Sequence, residues 1–302
     1  MESIIAGVDI GGTHITAALI DMKRKAVVTN SLQRVAVDSK DSAERIIAMW
    51  SKVIESCFQS CQLVPDKIGL AMPGPFDYKQ GISLMQNQDK FDNLYGINVK
   101  DRLADLLQID TCAISIANDA ACFLQGEIFH GAACDNDRVI GLTLGTGLGA
   151  ARAVHLTAED ADLWCSPFKD GIAEDYLSTR WFVKRFFEYS GRTVANVKKL
   201  VEAEDKEGYV QKIFNEFGKN LALFIEPFMR AENRRVLILG GSISNAYDLF
   251  IGALQDTLQS AGIYVEIKRS VLGEAAAMMG AANFCQLEQR AASVPVFDHI
   301  HR

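Results

Sequence analysis

The chain opens on the stretch Ser-Ile-Ile-Ala-Gly-Val-Asp-Ile-Gly-Gly-Thr-His-Ile-Thr-Ala-Ala-Leu-Ile, residues 3–20. Two apolar runs flank its glycines, which predicts a β-hairpin with its turn at Gly11-Gly12-Thr13. The P-loop and the dinucleotide-binding fingerprint both need a helix after their glycines, so the hairpin excludes both. Glycines at a hairpin tip let backbone N–H groups approach an anion closely, and the Thr13 hydroxyl adds a donor. The stretch therefore indicates a phosphate-binding turn.

Asp9 places a carboxylate within the first apolar strand. An unpaired charge is costly in such surroundings, because it loses its hydration. A hydrated Mg²⁺ beside phosphate groups would provide a partner. The alternative is an ordinary hairpin in which this aspartate forms a local hydrogen bond.

The same pattern recurs in the second half of the chain. Residues 138–144 read Arg-Val-Ile-Gly-Leu-Thr-Leu and predict a strand, Gly145-Thr-Gly-Leu-Gly149 follows, and residues 150–154 predict a returning strand. An internal repeat is weighed before any single motif. Two such turns indicate two related domains that hold one polyphosphate. A further pair, Gly240-Gly241, separates a predicted strand from a helix, which suits the phosphate or purine side of a nucleotide.

Asn118 and Asp119 follow the apolar run Ala-Ile-Ser-Ile-Ala of residues 113–117 and precede a helix predicted to end near His130. A carboxylate at the C-terminal end of a buried strand lies where open α/β sheets bind ligands. Such a carboxylate is well placed to take a proton from a substrate hydroxyl. The alternative is that one of the two side chains caps the helix.

Two intervening segments have the composition of binding loops. Pro73-Gly74-Pro75 makes a stiff turn after a predicted strand, which suits either a pocket wall or a simple turn. Residues 76–98 are polar and predicted to be irregular, and a loop of this length is commonly functional. Its polar side chains include those of Asn87, Asp89, Lys90 and Asn93.

Length and composition bound the class of protein. A chain of 302 residues exceeds what one core usually takes, so two domains or one double-lobed unit are expected. The net charge of -7 and the lack of a basic tract leave nucleic-acid binding without electrostatic support. No apolar run approaches the roughly 20 residues of a membrane helix. The first residues resemble no signal peptide, and the seven cysteines are scattered, so a cytoplasmic protein with reduced thiols is expected.

Six short motifs occur in order across nearly the whole chain: Asp9-Ile-Gly-Gly-Thr13, Pro73-Gly-Pro75, Asn118-Asp-Ala120, Gly145-Thr-Gly-Leu-Gly149, Gly240-Gly241 and Gly273-Glu-Ala-Ala276. Together they resemble the ROK family (repressors, open reading frames and sugar kinases) of the actin/hexokinase/Hsp70 superfamily. The resemblance implies an α/β fold of two RNase H-like, actin-like ATPase lobes with ATP and a sugar in a central cleft. We place the small lobe at residues 1–117, completed by a C-terminal helix at about 286–302, and the large lobe at 118–285.

The resemblance also implies roles for single residues. Asp119 matches the family's catalytic base, and Asp9 would serve Mg²⁺ through water. Glu174 matches the glutamate of the family's Gly-Cys-Leu-Glu segment, a sugar contact. The residues assigned to the sugar are Gly74, Asn118, Asp119, Asp162 and Glu174. The residues assigned to the nucleotide are Asp9, Gly11, Gly12, Thr13, His14, Gly145, Thr146, Gly147, Gly240 and Gly241.

The segment before Glu174 departs from the family pattern. Family members usually carry a zinc motif, Cys-x-Cys-Gly-x-x-Gly-Cys-x-Glu. The corresponding positions of this chain hold Cys165, Pro167, Phe168, Gly171 and Ile172. One cysteine of three is too few for a four-coordinate zinc site, so we predict no structural zinc. The family's Glu-x-x-His sugar contact falls on Asp162 and Cys165. His155 is the nearby histidine, and we expect it on a strand without assigning it a role.

Three functions remain open. The first, which the six motifs support best, is an ATP-dependent kinase of a hexose or N-acetylated hexose. The second, a sugar-responsive transcriptional regulator, would need a DNA-binding domain before a first strand that begins by about residue 3. The third is a sugar sensor that kept the fold without catalysis.

A homodimer is expected from the resemblance and from the aromatic-rich helix predicted over 173–189. The sequence names neither the sugar nor the hydroxyl that is phosphorylated.

Overall fold

The computed structural model describes residues 4–87, 90–134 and 136–293. Contacts between residues divide the chain into two compact units. Unit 1 comprises Met1–Phe129 and Ala275–Arg302, and unit 2 comprises His130–Glu274. Among the described residues, no helix combines the length and the hydrophobicity that a membrane span requires.

Each unit opens with a run of strands, and its helices follow. The first part of the chain forms β1 (Ile4–Ile10), β2 (His14–Asp21), β3 (Ala26–Val27), β4 (Gln33–Ala36), α1 (Ala43–Gln59), β5 (Ile68–Met72), β6 (Phe76–Asp77), β7 (Ile82–Ser83), α2 (Val99–Leu107), β8 (Ile114–Asn118) and α3 (Asp119–His130). Unit 2 then forms β9 (Val139–Leu144), β10 (Leu148–Val154), β11 (Thr157–Asp160), β12 (Pro167–Phe168), β13 (Gly171–Ile172), α4 (Ala173–Leu177), α5 (Thr179–Ser190), α6 (Val197–Val201), α7 (Tyr209–Ala231), β14 (Val236–Gly240), α8 (Tyr247–Ser260) and β15 (Glu266–Arg269). The last helix, α9 (Ala275–Ser293), returns to unit 1.

The main sheet of unit 1 has the strand order β3-β2-β1-β5-β8, with β4 also paired to β2. Strand β1 runs antiparallel to β2 and parallel to β5, which in turn is parallel to β8. Parallel neighbours end at the same edge of a sheet. The segments that follow Ile10, Met72 and Asn118 therefore lie along one edge.

Successive residues of a strand point to opposite faces of the sheet. Both faces of this sheet are apolar, and helices cover both. Ala6 and Val8 join the apolar cluster that includes the buried face of α1. Between them, Gly7 faces α9, and a Cβ at Gly7 would lie 2.1 Å from the carbonyl oxygen of Met278. The absence of a side chain at Gly7 thus lets α9 approach β1 closely.

Helices α3 and α9 belong to unit 1, and this changes the predicted boundaries. Cys122 of α3 and Ala281 of α9 pack together on Ala71 of β5. Helix α9 also packs on β1 and β8. The predicted boundaries lie at 117/118 and about 286, and residues 294–302 of the predicted C-terminal helix lie outside the described residues. The contacts place the division after Phe129 and before Ala275, since these helices cover the sheet of unit 1.

The sheet of unit 2 repeats the arrangement of unit 1. Its order is β11-β10-β9-β14-β15. Strand β9 is antiparallel to β10 and parallel to β14, which is parallel to β15. The predicted internal repeat and the predicted α/β fold with two RNase H-like units are therefore confirmed.

Aromatic side chains fill the core of unit 2. Trp181, Phe182 and Phe186 of α5 are buried. The ring centroids of Phe182 and Phe217 lie 4.7 Å apart. The aromatic residues predicted to lie in the core or at a subunit interface thus serve mainly as core, with Phe187 left 53% exposed.

One predicted helix differs from the structure, and two other segments form short strands. The helix predicted over 173–189 is two helices, because Ser178 is extended, with φ −124° and ψ 170°. Residues 25–37 contain two short strands, β3 and β4. Residues 155–172 contain β11 and the small β12–β13 hairpin.

His155 lies in a turn, so its predicted position on a strand is wrong. His155 and Leu156 connect β10 to β11 with φ values of 49° and 61°. Two consecutive positive φ values are the mark of a type I′ hairpin turn, whose usual sequence is Asn-Gly or Asp-Gly. Because His-Leu lacks that signal, the hairpin could not be read from the sequence.

Candidate active site

Three of the predicted motifs meet at one edge of the unit 1 sheet. The turn at Gly11-Gly12-Thr13 follows β1, Pro73-Gly74-Pro75 follows β5, and Asp119 follows β8. The parallel register of these strands pairs Asp9 with Ala71 and Met72 with Asn118. This edge is the place where open α/β sheets bind ligands.

The Gly11-Gly12-Thr13 turn joins β1 and β2 as predicted. The Gly11 N–H donates to the carbonyl oxygen of His14 at 2.9 Å, which closes the turn. The Val37 N–H donates to the carbonyl oxygen of Thr13 at 2.8 Å, which ties the turn to the residues after β4. The side chains of Thr13 and His14 are exposed, with Nδ1 of His14 3.0 Å from the Thr13 hydroxyl. The turn is thus held by its carbonyl groups and presents polar side chains to solvent.

Two carboxylates lie near the thiol of Cys122 on α3. Burial raises the pKa of this thiol well above its ordinary value, and the charges of Asp119 and Asp9 raise it further. Asp9 itself is half-buried near the end of β1. Carboxylate oxygens are the ligands that Mg²⁺ prefers, usually together with water. The position and chemistry of Asp9 therefore fit a magnesium ion held through water.

Asp119 begins α3 and is half-buried. Its Oδ1 accepts a hydrogen bond from the Ala120 N–H at 2.8 Å. Burial raises the pKa of the Asp119 carboxyl, and the charge of Lys90 and the backbone N–H groups lower it in part. A carboxylate with a raised pKa is a stronger base than an ordinary one, so this side chain suits proton transfer.

Asn118, rather than Asp119, caps α3. The Ala121 N–H donates to Asn118 Oδ1 at 3.0 Å, which confirms the capping alternative for this residue. The amide Nδ2 donates to the hydroxyl of Tyr78 at 3.2 Å. Tyr78 in turn donates to the carbonyl oxygen of Met72 at 3.3 Å. Tyr78 thus connects the ends of β5 and β8, a role that the sequence did not indicate.

Gly74 lies beside the same tyrosine. A Cβ at Gly74 would be 3.1 Å from the Tyr78 hydroxyl oxygen. The predicted sugar residues Gly74 and Asn118 are therefore brought together through Tyr78.

In unit 2, the two glycine turns lie side by side. The Gly145 N–H donates to the carbonyl oxygen of Gly147 at 3.0 Å and closes the turn between β9 and β10. Gly241 follows β14 with φ 81° and ψ 175°, a conformation that is essentially restricted to glycine. A Cβ at Gly241 would lie 2.4 Å from the carbonyl oxygen of Leu144. The turns predicted to bind phosphate and adenosine thus meet at one edge of the unit 2 sheet.

Glu174 contacts the glycine turn of unit 2. Its Oε2 accepts a hydrogen bond from the Leu148 N–H at 3.0 Å, and its Oε1 pairs with Arg180 at 2.9 Å. A Cβ at Gly147 would lie 2.6 Å from the same Oε2. Of the predicted sugar residues, this one is therefore bound to the turn that was assigned to phosphate.

Thr179 holds the same turn from the start of α5. Its N–H and its hydroxyl both donate to the carbonyl oxygen of Gly145, at 2.8 Å and 2.9 Å. No local pattern signals this contact, because Thr179 lies 34 residues from its partner.

A family comparison agrees with this arrangement of motifs. The model of the ROK family matches residues 5–154, which contain Asp9, the first glycine turn, Asn118-Asp119 and the second glycine turn. The chain belongs to the ROK family.

Named relatives of this ROK protein are sugar kinases. A glucokinase from Thermotoga maritima is 25% identical over an alignment of 315 positions, and the alignment covers 92% of this chain and 96% of the relative. An N-acetyl-D-glucosamine kinase from Vibrio cholerae is 26% identical over an alignment of 269 positions, which covers 80% of this chain and 85% of the relative. A solved ROK family glucokinase from Streptomyces griseus, in complex with glucose and AMPPNP, superposes with a TM-score of 0.75 at 20% identity, over 94% of this chain and 99% of that one. At that identity, the structural likeness shows the fold.

In this ROK protein, the segment compared in sequence with a zinc motif forms a small hairpin. Pro167 and Phe168 in β12 pair with Ile172 and Gly171 in β13. Cys165 is exposed. Within residues 4–87, 90–134 and 136–293, no three histidine, cysteine, aspartate or glutamate side chains are grouped so as to hold a metal ion. The absence of structural zinc stays a prediction.

The hairpin of this ROK protein packs through aromatic rings and a lysine. The Phe168 ring meets those of Tyr176 and Phe224 edge-on, with centroids 5.4 Å and 5.8 Å away. Lys169 Nζ lies 5.0 Å from the Tyr176 centroid and donates to Oδ1 of the buried Asn220 at 2.6 Å. These contacts join the segment to α4 and α7.

Asp162, another predicted sugar residue, forms a side-chain hydrogen bond within its own loop. Its Oδ1 accepts a hydrogen bond from the indole Nε1 of Trp164 at 3.0 Å. Its backbone is in the left-handed region, with φ 48°. The carboxylate of this residue thus orders the loop before the hairpin.

Proposed function

We propose that the protein is an ATP-dependent sugar kinase with Asp119 as its general base. One observation carries the proposal: a half-buried carboxylate with a raised pKa lies on the same sheet edge of unit 1 as a glycine-threonine turn suited to phosphate. The names of the relatives, glucokinase and N-acetyl-D-glucosamine kinase, support the same reaction class.

The proposed reaction transfers the γ-phosphoryl group of ATP to a sugar hydroxyl. The hydroxyl oxygen forms a bond to the γ-phosphorus, and the bond from that phosphorus to the β,γ-bridging oxygen breaks. The hydroxyl proton passes to the Asp119 carboxylate, and ADP leaves. Phosphoryl transfer depends mostly on positioning and on stabilisation of charge, so one base with well-held phosphate donors is sufficient.

The proposed nucleotide contacts lie on glycine turns in each unit, and each turn is supported by contacts within its own unit. In unit 1, we assign Gly11, Gly12, Thr13 and His14 to the phosphates, and Asp9 to a water-held Mg²⁺. The ion would neutralise phosphate charge. In unit 2, we assign the phosphates to Gly145, Thr146 and Gly147 and the adenosine to Gly240 and Gly241. The support is that both turns are closed hairpin tips at the ends of sheet strands.

The proposed sugar contacts are Gly74, Asn118, Glu174 and Asp162. Gly74 and Asn118 have the firmest support, since both adjoin the Tyr78 hydroxyl near Asp119. Glu174 would contact the sugar in addition to the Leu148 N–H and Arg180. Asp162 has less support, because the Trp164 indole already binds its carboxylate.

The direct test is release of ADP from Mg-ATP over a panel of hexoses, amino sugars and N-acetylated sugars. Turnover that depends on one of these sugars would support the kinase and name its substrate. Binding of a sugar by calorimetry without turnover would overturn the kinase and favour a sugar sensor. The altered segment around the β12–β13 hairpin is the feature that motivates that second candidate.

We further propose a cytoplasmic homodimer. All seven cysteines lie within the described residues and are free thiols, as expected in a reducing compartment. Phe187 is 53% exposed on α5 and would be covered in a dimer. Sedimentation equilibrium of the wild type and of Phe187→Asp tests the dimer, since a monomeric wild type would contradict it.

A further inference from the structure

The loop between β7 and α2 is anchored to the core of unit 1 immediately after Lys90. Phe91 is fully buried, and its ring meets that of Trp50 edge-on at a centroid distance of 5.4 Å. The Phe91 N–H donates to the carbonyl oxygen of Ser39 at 2.9 Å. Asn93 Nδ2 donates to the carbonyl oxygen of Asp41 at 2.9 Å. Although the loop is long, the backbone that carries Lys90 is thus fixed to the start of α1.

The stem of Lys90 lies over the glycine turn of unit 1. A Cβ at Gly12 would be 3.4 Å from Cδ of Lys90 and 3.8 Å from its Cβ. These distances correspond to ordinary contact or slightly less, so the lysine stem covers the position where Gly12 has no side chain. The residue is half-buried there.

The charge of Lys90 also acts on the proposed base. Among the influences that lower the pKa of the Asp119 carboxyl, the charge of Lys90 is the largest. One side chain therefore covers the Gly12 turn with its stem and acts on the Asp119 carboxylate through its charge. A phosphoryl group in transfer between this turn and Asp119 would come within reach of the ammonium.

We propose that Lys90 is a further catalytic residue of the kinase, whose ammonium contacts the phosphoryl group while it is transferred to the sugar. This inference rests on the proposed function. Negative charge on the phosphoryl oxygens is the main feature that a kinase stabilises in the transition state. A cation held in advance stabilises this charge more effectively than water does, because it needs no reorganisation. Lysine supplies such a point charge.

The decisive variants separate the charge of Lys90 from its stem. Lys90→Met keeps the stem over Gly12 and removes the charge, Lys90→Gln removes the charge with a shorter polar group, and Lys90→Arg keeps the charge. The exposed Lys52 on α1 of the same unit provides the control variant Lys52→Met. All four are compared with the wild type in circular dichroism before kinetics.

With the sugar that the wild type phosphorylates, kcat of Lys90→Met and Lys90→Gln should fall by about 10²-fold or more, as for loss of one transition-state donor. KM for the sugar should change by less than about threefold, since the contact forms with the phosphoryl group. Lys90→Arg should recover part of kcat, and Lys52→Met should match the wild type. Unchanged kcat in both uncharged variants would overturn the inference and leave the kinase standing. A loss of kcat that disappears at raised pH would also overturn it, because Lys90 would then only keep Asp119 ionised.

A binding measurement tests the proposed contact of Lys90 with the third phosphate without requiring turnover. Calorimetry with Mg-AMPPNP and Mg-ADP should show about tenfold weaker binding of AMPPNP to Lys90→Met and little change for ADP, because the contact is to the third phosphate. Equal losses for both nucleotides, or none, would overturn the inference. If the wild type transfers no phosphate to any sugar, the proposed function fails. The comparison of AMPPNP binding with ADP binding then tests the phosphate contact of Lys90 by itself. If the wild type binds neither nucleotide, both proposals are overturned.

Discussion

Thr179 donates two hydrogen bonds to the carbonyl oxygen of Gly145, one from its N–H at 2.8 Å and one from its hydroxyl at 2.9 Å. The start of α5 is thereby joined to the turn between β9 and β10. The backbone N–H groups of that turn can bind phosphate well only if the turn is held in advance.

Thr179→Val removes the hydroxyl and keeps the backbone bond to Gly145. A neutral hydrogen bond contributes about 0.5–1.5 kcal/mol, so KM for ATP should rise about two- to tenfold. KM for the sugar should be unaffected. The exposed Thr193→Val in the same unit is the control. An unchanged KM for ATP in Thr179→Val would show that the hydroxyl does not order the turn.

Gly241 and Gly262 both have positive φ, so substitutions at the two positions can be compared for their effect on stability. Their φ values are 81° and 75°, but a Cβ at Gly241 would lie 2.4 Å from the Leu144 carbonyl oxygen, whereas one at Gly262 has nothing within 4 Å. Gly262→Ala should lower the free energy of unfolding by about 1–2 kcal/mol. Gly241→Ala should lower it by about 3 kcal/mol or more, because strain and steric overlap add. Urea unfolding measures both, and equal losses would contradict the close approach of the two turns.

Asn118 combines a structural role with a proposed sugar contact, and two substitutions separate them. Asn118→Ala removes the acceptor for the Ala121 N–H and should cost about 1 kcal/mol of stability. Asn118→Ser keeps a capping oxygen, so it should regain most of that stability. If the amide also contacts the sugar, both variants should raise KM for the sugar. Recovery of KM together with stability in Asn118→Ser would restrict Asn118 to its cap.

Lys169 is expected to stabilise the segment that contains the β12–β13 hairpin. Lys169→Met leaves Oδ1 of the buried Asn220 without its 2.6 Å donor, which should cost about 1–3 kcal/mol. Thermal unfolding checks this, with the exposed Lys198→Met as control.

Because we predict no structural zinc in this segment, a metal chelator should not change the thermal stability of the protein. The purified protein should contain no stoichiometric zinc by mass spectrometry of metals, and its melting temperature should be the same with and without a chelator. One zinc per chain, lost together with stability on chelation, would refute the prediction.

The raised pKa of Asp119 should make the stability of the protein depend on pH. Burial holds the pKa of this carboxyl above the ordinary value of 3.8. Between the unfolded and the folded pKa, the native state binds more protons, so this residue's contribution to stability falls as pH rises through that window. Asp119→Asn should therefore be more stable than the wild type at pH 7, and the difference should shrink as the pH falls below 3.8. Denaturant unfolding at both pH values measures this, and a variant less stable than the wild type at pH 7 would contradict it.

Repeated local patterns made much of the fold predictable. Apolar runs around Gly11-Gly12-Thr13 and Gly145-Thr146-Gly147 indicated the hairpins, and their repetition indicated the two related units. Asn118-Asp119 was predictable because a polar pair at the end of a buried strand is conspicuous. Each of these signals lies within about ten residues of chain.

The remaining contacts join residues that are distant in sequence. Asn118 meets Tyr78 across 40 residues, and Lys169 meets Asn220 across 51. Lys90 was visible only as one of several polar residues in a long loop. Its relation to Gly12 and Asp119 depends on where Phe91 anchors, and periodicity carries no information about that.

The central claim is that Asp119 accepts the proton of the sugar hydroxyl. The most direct test compares kcat/KM of Asp119→Asn with that of the wild type, using the sugar with the fastest turnover. The exposed Asp105→Asn in the same unit is the control. We predict a loss of about 10²-fold or more for Asp119→Asn, the low end for removal of a general base, and a value within about twofold of the wild type for the control. Activity of Asp119→Asn within about threefold of the wild type would contradict the account.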